Sequence, residues 1–256
     1  MSLSQLGFNA LPIQDKSCPK HGLFKSRHIF GGIWSRCPAC TADHDAKEGE
    51  QREQAARQAR LDRWRQKIGE SGIPERFQSR TLESFVAETR EQQAALAFAT
   101  DYAEHFDDVL RTGRCAVFLG LPGTGKTHLA VAIGERIMRS DNRSVYFTTV
   151  MRAIRRIRDT WSRKSDESES SAIAALTYPD LLILDEVGIQ SGSDSEKNQL
   201  FDVLNERYEK HKPTILLSNL TLTDVKSFLG ERIFDRLRED GGEVIPFTWK
   251  SHRGHG

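Results

Sequence analysis

Apolar residues along this chain fall into two regimes. From about residue 90 onward, short apolar runs alternate with amphipathic stretches, the pattern of buried strands separated by helices. The runs are CAVFLG (Cys115–Gly120), SVYFTT (Ser144–Thr149), DLLILDE (Asp180–Glu186), PTILLSN (Pro213–Asn219) and EVIPFTW near the end. Between them, EQQAALAFATDYAEHF and THLAVAIGERIMRS carry helical spacing. The alternation predicts an α/β fold, a parallel doubly wound sheet with helices on both faces.

The front of the chain reads differently. Residues 1–17 have no periodicity and read as a mobile lead-in. Residues 42–70 are rich in Ala, Glu, Gln and Arg, which favours helix by propensity. Only Leu61, Trp64 and Ile68 form an apolar seam there, so this helix reads as a mostly solvated connector. SGIPERF (Ser71–Phe77) ends it with Gly and Pro. SRKSDESESS (Ser162–Ser171) reads as the one disordered loop. The expected organisation is a small module over 1–45, a helical linker over 46–70 and an α/β domain over 71–256.

Charge narrows the partners. With 37 Lys and Arg against 36 Asp and Glu, the chain is no polycation, so any nucleic-acid contact must be a local patch. No apolar run approaches the ~20 residues that span a bilayer, and the N-terminus lacks a basic start followed by an apolar core. No membrane association is expected. Three of the four cysteines stand in the first 40 residues beside a histidine, which reads as metal ligation in a reducing, cytoplasmic compartment.

Those residues are Cys18, His21, Cys37 and Cys40, in the pattern C-x2-H-x15-C-x2-C. Two tight knuckles separated by a loop suit one tetrahedral Zn²⁺. Pro19 and Pro38 stiffen the knuckles, and Gly22 lets the backbone turn away. Four protein ligands close the site, which excludes a zinc-activated water and leaves the metal to fold a segment too short for its own core.

GLPGTGKT, Gly120 to Thr127, fits the phosphate-loop pattern between an expected strand and an expected helix. Gly120, Gly123 and Gly125 let amides curl round phosphate oxygens; Pro122, Thr124 and His128 complete the nucleotide-facing stretch. Lys126 would reach the β- and γ-phosphates of ATP, and Thr127 would ligate Mg²⁺. Asp185 and Glu186 close an apolar strand, where open α/β sheets place ligands. Asp185 would hold the Mg²⁺ and Glu186 would activate water, so hydrolysis to ADP and phosphate is expected. Asn219 ends the next strand and could sense the γ-phosphate or merely make a turn. Arg232 and Arg236, four apart on an expected helix, share a face that is either solvated or aimed at a neighbour's phosphate.

GLPGTGKTHLA, LLILDEVGIQ, LLSN, LGERIFDRLRE and FTWKSHR together resemble the DnaC-type helicase loaders, a branch of the AAA+ ATPases, over roughly residues 71–253. The resemblance implies Arg236 as an arginine finger acting in trans between self-associated copies, with Arg232 beside it. It implies Arg253 as a nucleotide sensor and Phe77, in IPERF, near the adenine. Members deliver a hexameric, DnaB-like replicative helicase to single-stranded DNA. Transposition ATPases of the IstB kind share the core and are the alternative, a transposition regulator or another adaptor that uses ATP as a binding switch. The front 40 residues lie outside the resemblance; their metal knuckle is closer to DnaI-like loaders, whose front domain binds zinc. A folded knob ahead of a complete ATPase reads as a helicase-docking head, or else as a knob packed on its own ATPase domain.

VMRAIRRIRDTW (Val150–Trp161) repays a helical reading. Val150, Ile154, Ile157 and Trp161 form an apolar stripe, while Arg152, Arg155, Arg156 and Arg158 cover the rest. In the resembled family this position contacts nucleic acid, so the strip is the expected single-stranded DNA contact; a solubilising face or a subunit contact is the alternative. Cys115 reads as a buried small hydrophobe, and Phe247 and Trp249 as core.

Overall fold

A computed structural model describes residues 12–140, 143–162, 165–188 and 194–251. The chain divides into two compact units, residues 1–63 and 64–256.

In the first unit three strands pair antiparallel: β1 (Ile13–Cys18), β2 (Gly22–Phe30) and β3 (Ile33–Trp34). Helix α1 (Pro38–Glu70) follows. This sheet corrects two expectations. Residues 13–17 belong to a strand rather than a mobile lead-in, and the stretch between the two knuckles is a hairpin strand rather than a loop. The two strands bury only Cys18 and Ser26 and no large apolar side chain, so their register comes from backbone pairing and from the knuckle at their turn, which hydropathy does not reveal.

The second unit carries the five expected strands: β4 (Ala116–Gly120), β5 (Val145–Thr149), β6 (Leu181–Asp185), β7 (Thr214–Ser218) and β8 (Glu243–Phe247). They lie in the order β5-β6-β7-β4-β8, all parallel. Successive side chains of a strand face opposite sides, and the core splits accordingly. Ala116, Phe118, Leu181, Ile183, Ile215 and Leu217 pack beneath α2 (Arg90–Glu104) and α4 (Lys126–Ser140). Val117, Leu119, Leu182, Leu184 and Leu216 pack on the other face. That face is covered by α5 (Val150–Asp159), α6 (Glu169–Thr177), α7 (Asp194–Glu209), α8 (Leu222–Leu229) and α9 (Glu231–Arg238). Truncating a buried aromatic such as Phe118 would cost about 3–5 kcal/mol.

Local signals set the helix ends. Thr89 and Gln92 form a reciprocal capping box at the start of α2. The short helix α3 (Phe106–Thr112) stops at Gly113, whose φ is 80°. Two sequence expectations yield here. SRKSDESESS is in part the ordered start of α6: Ser168 caps that helix by accepting from Ser171 N. Of the connector's apolar seam, Trp64 and Ile68 join the second unit's core and Arg139 stacks over Trp64 at 4.0 Å. The side chain of Leu61 lies outside the described residues. Among the described residues no helix is long and apolar enough to cross a membrane.

One buried cation organises the second face. Arg207 on α7 is 1% exposed. Its guanidinium donates to the carbonyls of Leu176 (3.0 Å), Thr177 (3.3 Å) and Pro179 (3.0 Å) at the end of α6, and to Pro213 O at 2.6 Å before β7. Helix C-termini leave carbonyls without intrahelical partners, and this arginine supplies them. Burial pulls it down to about 10, still protonated at neutral pH.

Candidate functional site

The phosphate loop runs from the carboxyl end of β4 into α4. Gly120 has φ 154°, and a Cβ there would stand 2.2 Å from the Phe247 carbonyl oxygen on β8, so only glycine allows this approach. Trp249, as expected, is core; its Nε1 also donates to Thr124 O at 2.9 Å and pins the loop from below.

Lys126 is 6% exposed and its ammonium donates to Gly120 O (2.6 Å), Leu121 O (2.9 Å) and Asn219 Oδ1 (2.8 Å). Thr127 donates its hydroxyl to Asp185 Oδ2 at 3.0 Å. The next residue, Glu186, has φ 61°, a conformation that costs a non-glycine residue roughly 1–2 kcal/mol. Its amide donates to Asp185 Oδ1 at 2.7 Å, which stabilises the turn. The turn leaves the Glu186 side chain exposed on the cleft wall beside Asp185. Burial raises the Asp185 carboxyl above its ordinary value, against the opposing pull of the Glu186 amide, Thr127 and Lys126. A half-buried carboxylate touching a threonine hydroxyl is a donor set of hard oxygens that fits Mg²⁺.

Phe77, in a 3-10 turn over Glu75–Phe77, lines the same cleft, with the Arg76 guanidinium over its ring at 4.9 Å. Arg76, Arg80 and Phe85 line it too, and sequence reasoning missed them, although Arg76 stands inside the IPERF stretch it had singled out. His128 is held against the wall: its Nε2 lies 3.0 Å from Thr81 O and 3.1 Å from Ser84 Oγ, and its ring meets Phe85 edge-on at 5.3 Å. Burial holds its imidazole below the usual range. Gly123, Gly125 and Pro122 complete the lining; Arg253 lies outside the described residues.

Arg232 and Arg236 are on α9, away from this cleft. Arg232 is exposed. Arg236 is half-buried and shares a cavity with Thr112, Gly113 and Cys115, at the amino end of β4. The phosphate loop leaves the carboxyl end of that strand. The five residues of β4, at about 3.3 Å each, therefore separate Arg236 from the phosphate loop of its own chain. Cys115 is buried, as expected, although its sulfur does have partners: it accepts from Thr214 N at 3.3 Å and donates to Gly113 O at 3.3 Å.

The arginine strip on α5 is thinner than its sequence. Val150, Ile154 and Ile157 are buried as expected, but Trp161 lies past the helix end and is 53% exposed, with Ala153 buried instead. Arg152, Arg155 and Arg158 are exposed. Arg156 is not available as a free cation: it pairs with Glu167 at 2.7 Å and donates to Tyr146 Oη at 3.3 Å. The pair raises the arginine's affinity for its proton and lowers that of the glutamate.

In the first unit Cys18, His21, Cys37 and Cys40 converge, with one ligand atom from each within 4.8 Å of the others. Cys18 Sγ lies 3.4 Å from Cys40 Sγ, and His21 Nδ1 is 3.7, 3.7 and 3.3 Å from the sulfurs of Cys18, Cys37 and Cys40. Tetrahedral zinc with bonds of about 2.0–2.3 Å needs such separations, so the donor set fits the ion. The Cys18–His21 knuckle is the turn of the β1–β2 hairpin, with Gly22 at φ 75° paired opposite Cys18. The second knuckle is the start of α1, with Pro38 as its first residue. Hydrogen bonding, first from the Lys20 amide and then from the Cys40 thiol, holds the Cys18 thiol down to about 6, while Cys40 beside it is pushed up to about 11. His21 Nε2 lies 3.3 Å from Asp43 Oδ2, an orienting carboxylate that spacing rules had not singled out.

The model of the IstB-like ATP-binding proteins matches residues 51–253. The replicative helicase loader DnaC of Escherichia coli K12 is 35% identical over 77% of this chain and 78% of its own length. The DnaC loader of Buchnera aphidicola from Schizaphis graminum is 34% identical over 73% and 74%. A crystal structure of the DnaC helicase loader superposes with a TM-score of 0.61 at 25% identity, covering 68% of this chain and 99% of that one. A DnaI structure shares the fold, with a TM-score of 0.57 at 19% identity over 68% and 94%. The zinc-type cluster lies ahead of the residues matched by the family model.

Proposed function

This chain belongs to the IstB-like ATP-binding family, in its branch of DnaC-type replicative helicase loaders, and on that premise we propose that it hydrolyses ATP to deliver a hexameric helicase onto single-stranded DNA. The observation that carries the reading is the convergence of Lys126, Thr127, Asp185, Glu186 and Asn219 in one cleft of a chain 35% identical to a loader.

The loop amides and the amino end of α4 bind the phosphates of ATP. Lys126 exchanges a backbone carbonyl for a phosphate oxygen by side-chain rotation. Asn219 holds the ammonium and contacts the γ-phosphate. Thr127 and Asp185 would hold Mg²⁺, which supplies charge neutralisation at the phosphates when bound. Glu186 orients the attacking water and takes its proton. Arg253 senses the nucleotide, and Phe77 packs near the base. Arg236, at the far end of β4 from its own phosphate loop, serves the site of an adjoining copy. Arg152 and Arg155, with Arg158, meet the DNA backbone. Residues 1–45 form a zinc-folded head that docks the helicase, 46–70 the helical linker and 71–256 the ATPase, working in the cytoplasm.

Capture of partners by the full-length chain from its native cells tests the reading. Recovery of the replicative helicase, released on ATP hydrolysis, supports it. Recovery of a transposase without helicase supports the transposition alternative.

A further inference from the structure

Arg236 reaches its position through a seat. Its Nη1 donates to Asn205 Oδ1, and its guanidinium lies over the Tyr208 ring at 4.6 Å. Tyr208 in turn donates its hydroxyl to Glu239 Oε2 at 2.5 Å. Asn205 and Tyr208 stand three apart on α7 and so share one helix face, while Glu239 follows the last residue of α9. The guanidinium is thus gripped at one N–H and one face. Among the described residues its other donors are left for a phosphate, because an arginine offers five in a fixed fork.

An unconstrained arginine samples many rotamers, an entropy which a finger has to surrender when it meets its phosphate. A finger already oriented surrenders less, and a reacting group misplaced by 1 Å can lose about a hundredfold in rate. We propose that Asn205 and Tyr208 are positioning residues that hold Arg236 ready for the nucleotide of an adjoining copy. Neither lies on the cleft lining of its own chain, so their effect is confined to the subunit that donates the finger. The proposal rests on the trans reading of Arg236.

Subunit mixing tests both layers. Lys126→Ala protein keeps its finger and lacks a working pocket; Arg236→Ala protein keeps its pocket and lacks the finger. Their mixture, with helicase and single-stranded DNA present, is expected to hydrolyse ATP. Asn205→Ala or Tyr208→Leu added to the finger donor should lower kcat of the mixture about ten- to hundredfold with little change in KM. The same change added to the pocket donor should leave the mixture's rate as it was. Tyr208→Phe, which keeps the ring face, should retain most of the rate in the finger donor. Equal loss in both arms, loss in neither, or a gain in the finger-donor arm would overturn the seat. A parent mixture that shows co-assembly but no hydrolysis would overturn the trans reading itself, and the seat with it.

Discussion

Lys126 and Asn219, 93 residues apart in the chain, meet through a 2.8 Å hydrogen bond from ammonium to side-chain carbonyl. One residue begins α4 and the other follows β7; the β4–β7 pairing brings them together. The contact joins the phosphate loop to the end of β7, where Asn219 is proposed to sense the γ-phosphate. Asn219→Ala should therefore lower kcat by about a hundredfold, the size of effect when one preorganised transition-state donor is lost. ATP affinity measured by titration should change little. Lys126→Ala should abolish ATP binding in the same titration.

Glu186→Gln should bind ATP at near wild-type affinity and hydrolyse it at least a hundredfold more slowly, because the hydroxyl and carboxylate at Thr127 and Asp185 remain while water loses its base. Single-turnover assays measure this. Equal turnover by the variant and the wild type would remove Glu186 from the mechanism.

Asp185 gives a pH-dependent prediction. Its folded-state pKa is raised above the ordinary carboxylate value, so the folded state binds this proton more tightly than the unfolded state. Its contribution to stability is fully present below the ordinary value and is lost as pH rises through the raised one. At pH 7, without nucleotide, Asp185→Asn should melt at or above the wild-type temperature while failing to hydrolyse ATP. Near pH 3 the advantage should vanish. A variant that melts well below wild type at pH 7 would contradict the burial argument.

Cys37→Ser, or a strong chelator applied to the whole chain, should open residues 13–45 to proteolysis and hydrogen exchange. ATP binding by the second unit should persist. Release of one equivalent of zinc on denaturation checks the metal, and helicase capture should fall with it.

Reversing Arg152 and Arg155 to Glu should weaken single-stranded DNA binding and flatten its salt dependence, with ATP affinity intact. Arg156→Glu should act differently. It breaks the pair with Glu167 and sets two carboxylates together, so the loss should appear as a lowered melting temperature. Arg207→Met would leave the carbonyls at the end of α6 without a partner and should destabilise the second unit by about 3–5 kcal/mol in denaturant titration.

The sequence by itself determined the α/β sheet, the phosphate-loop pattern, the paired acids at a strand end and the cluster of three cysteines with a histidine. Each is a local pattern: an apolar run of strand length, glycines where amides must converge, or cysteines with two residues between them. All five expected strands form, in a single parallel sheet. What only the tertiary structure decided has a common cause, the meeting of residues whose spacing carries no signal. The front hairpin, IQDKSC against GLFKSRHIF, buries only Cys18 and Ser26, neither of them a large apolar residue, so no hydrophobic alternation marks it as a sheet. Arg156 looks like its neighbours until Glu167, eleven residues on, folds back to neutralise it. Nothing in its near sequence singles out Arg207, yet it is buried because six carbonyl and hydroxyl oxygens from two stretches, 176–180 and 213–214, surround it. Trp249 reads as core, and only the closing of β8 beside β4 sets its indole N–H beneath the phosphate loop. Hydropathy and spacing report how a residue meets water and its near neighbours along the chain; charge pairing and hydrogen bonding across elements exist only once packing has brought the elements together.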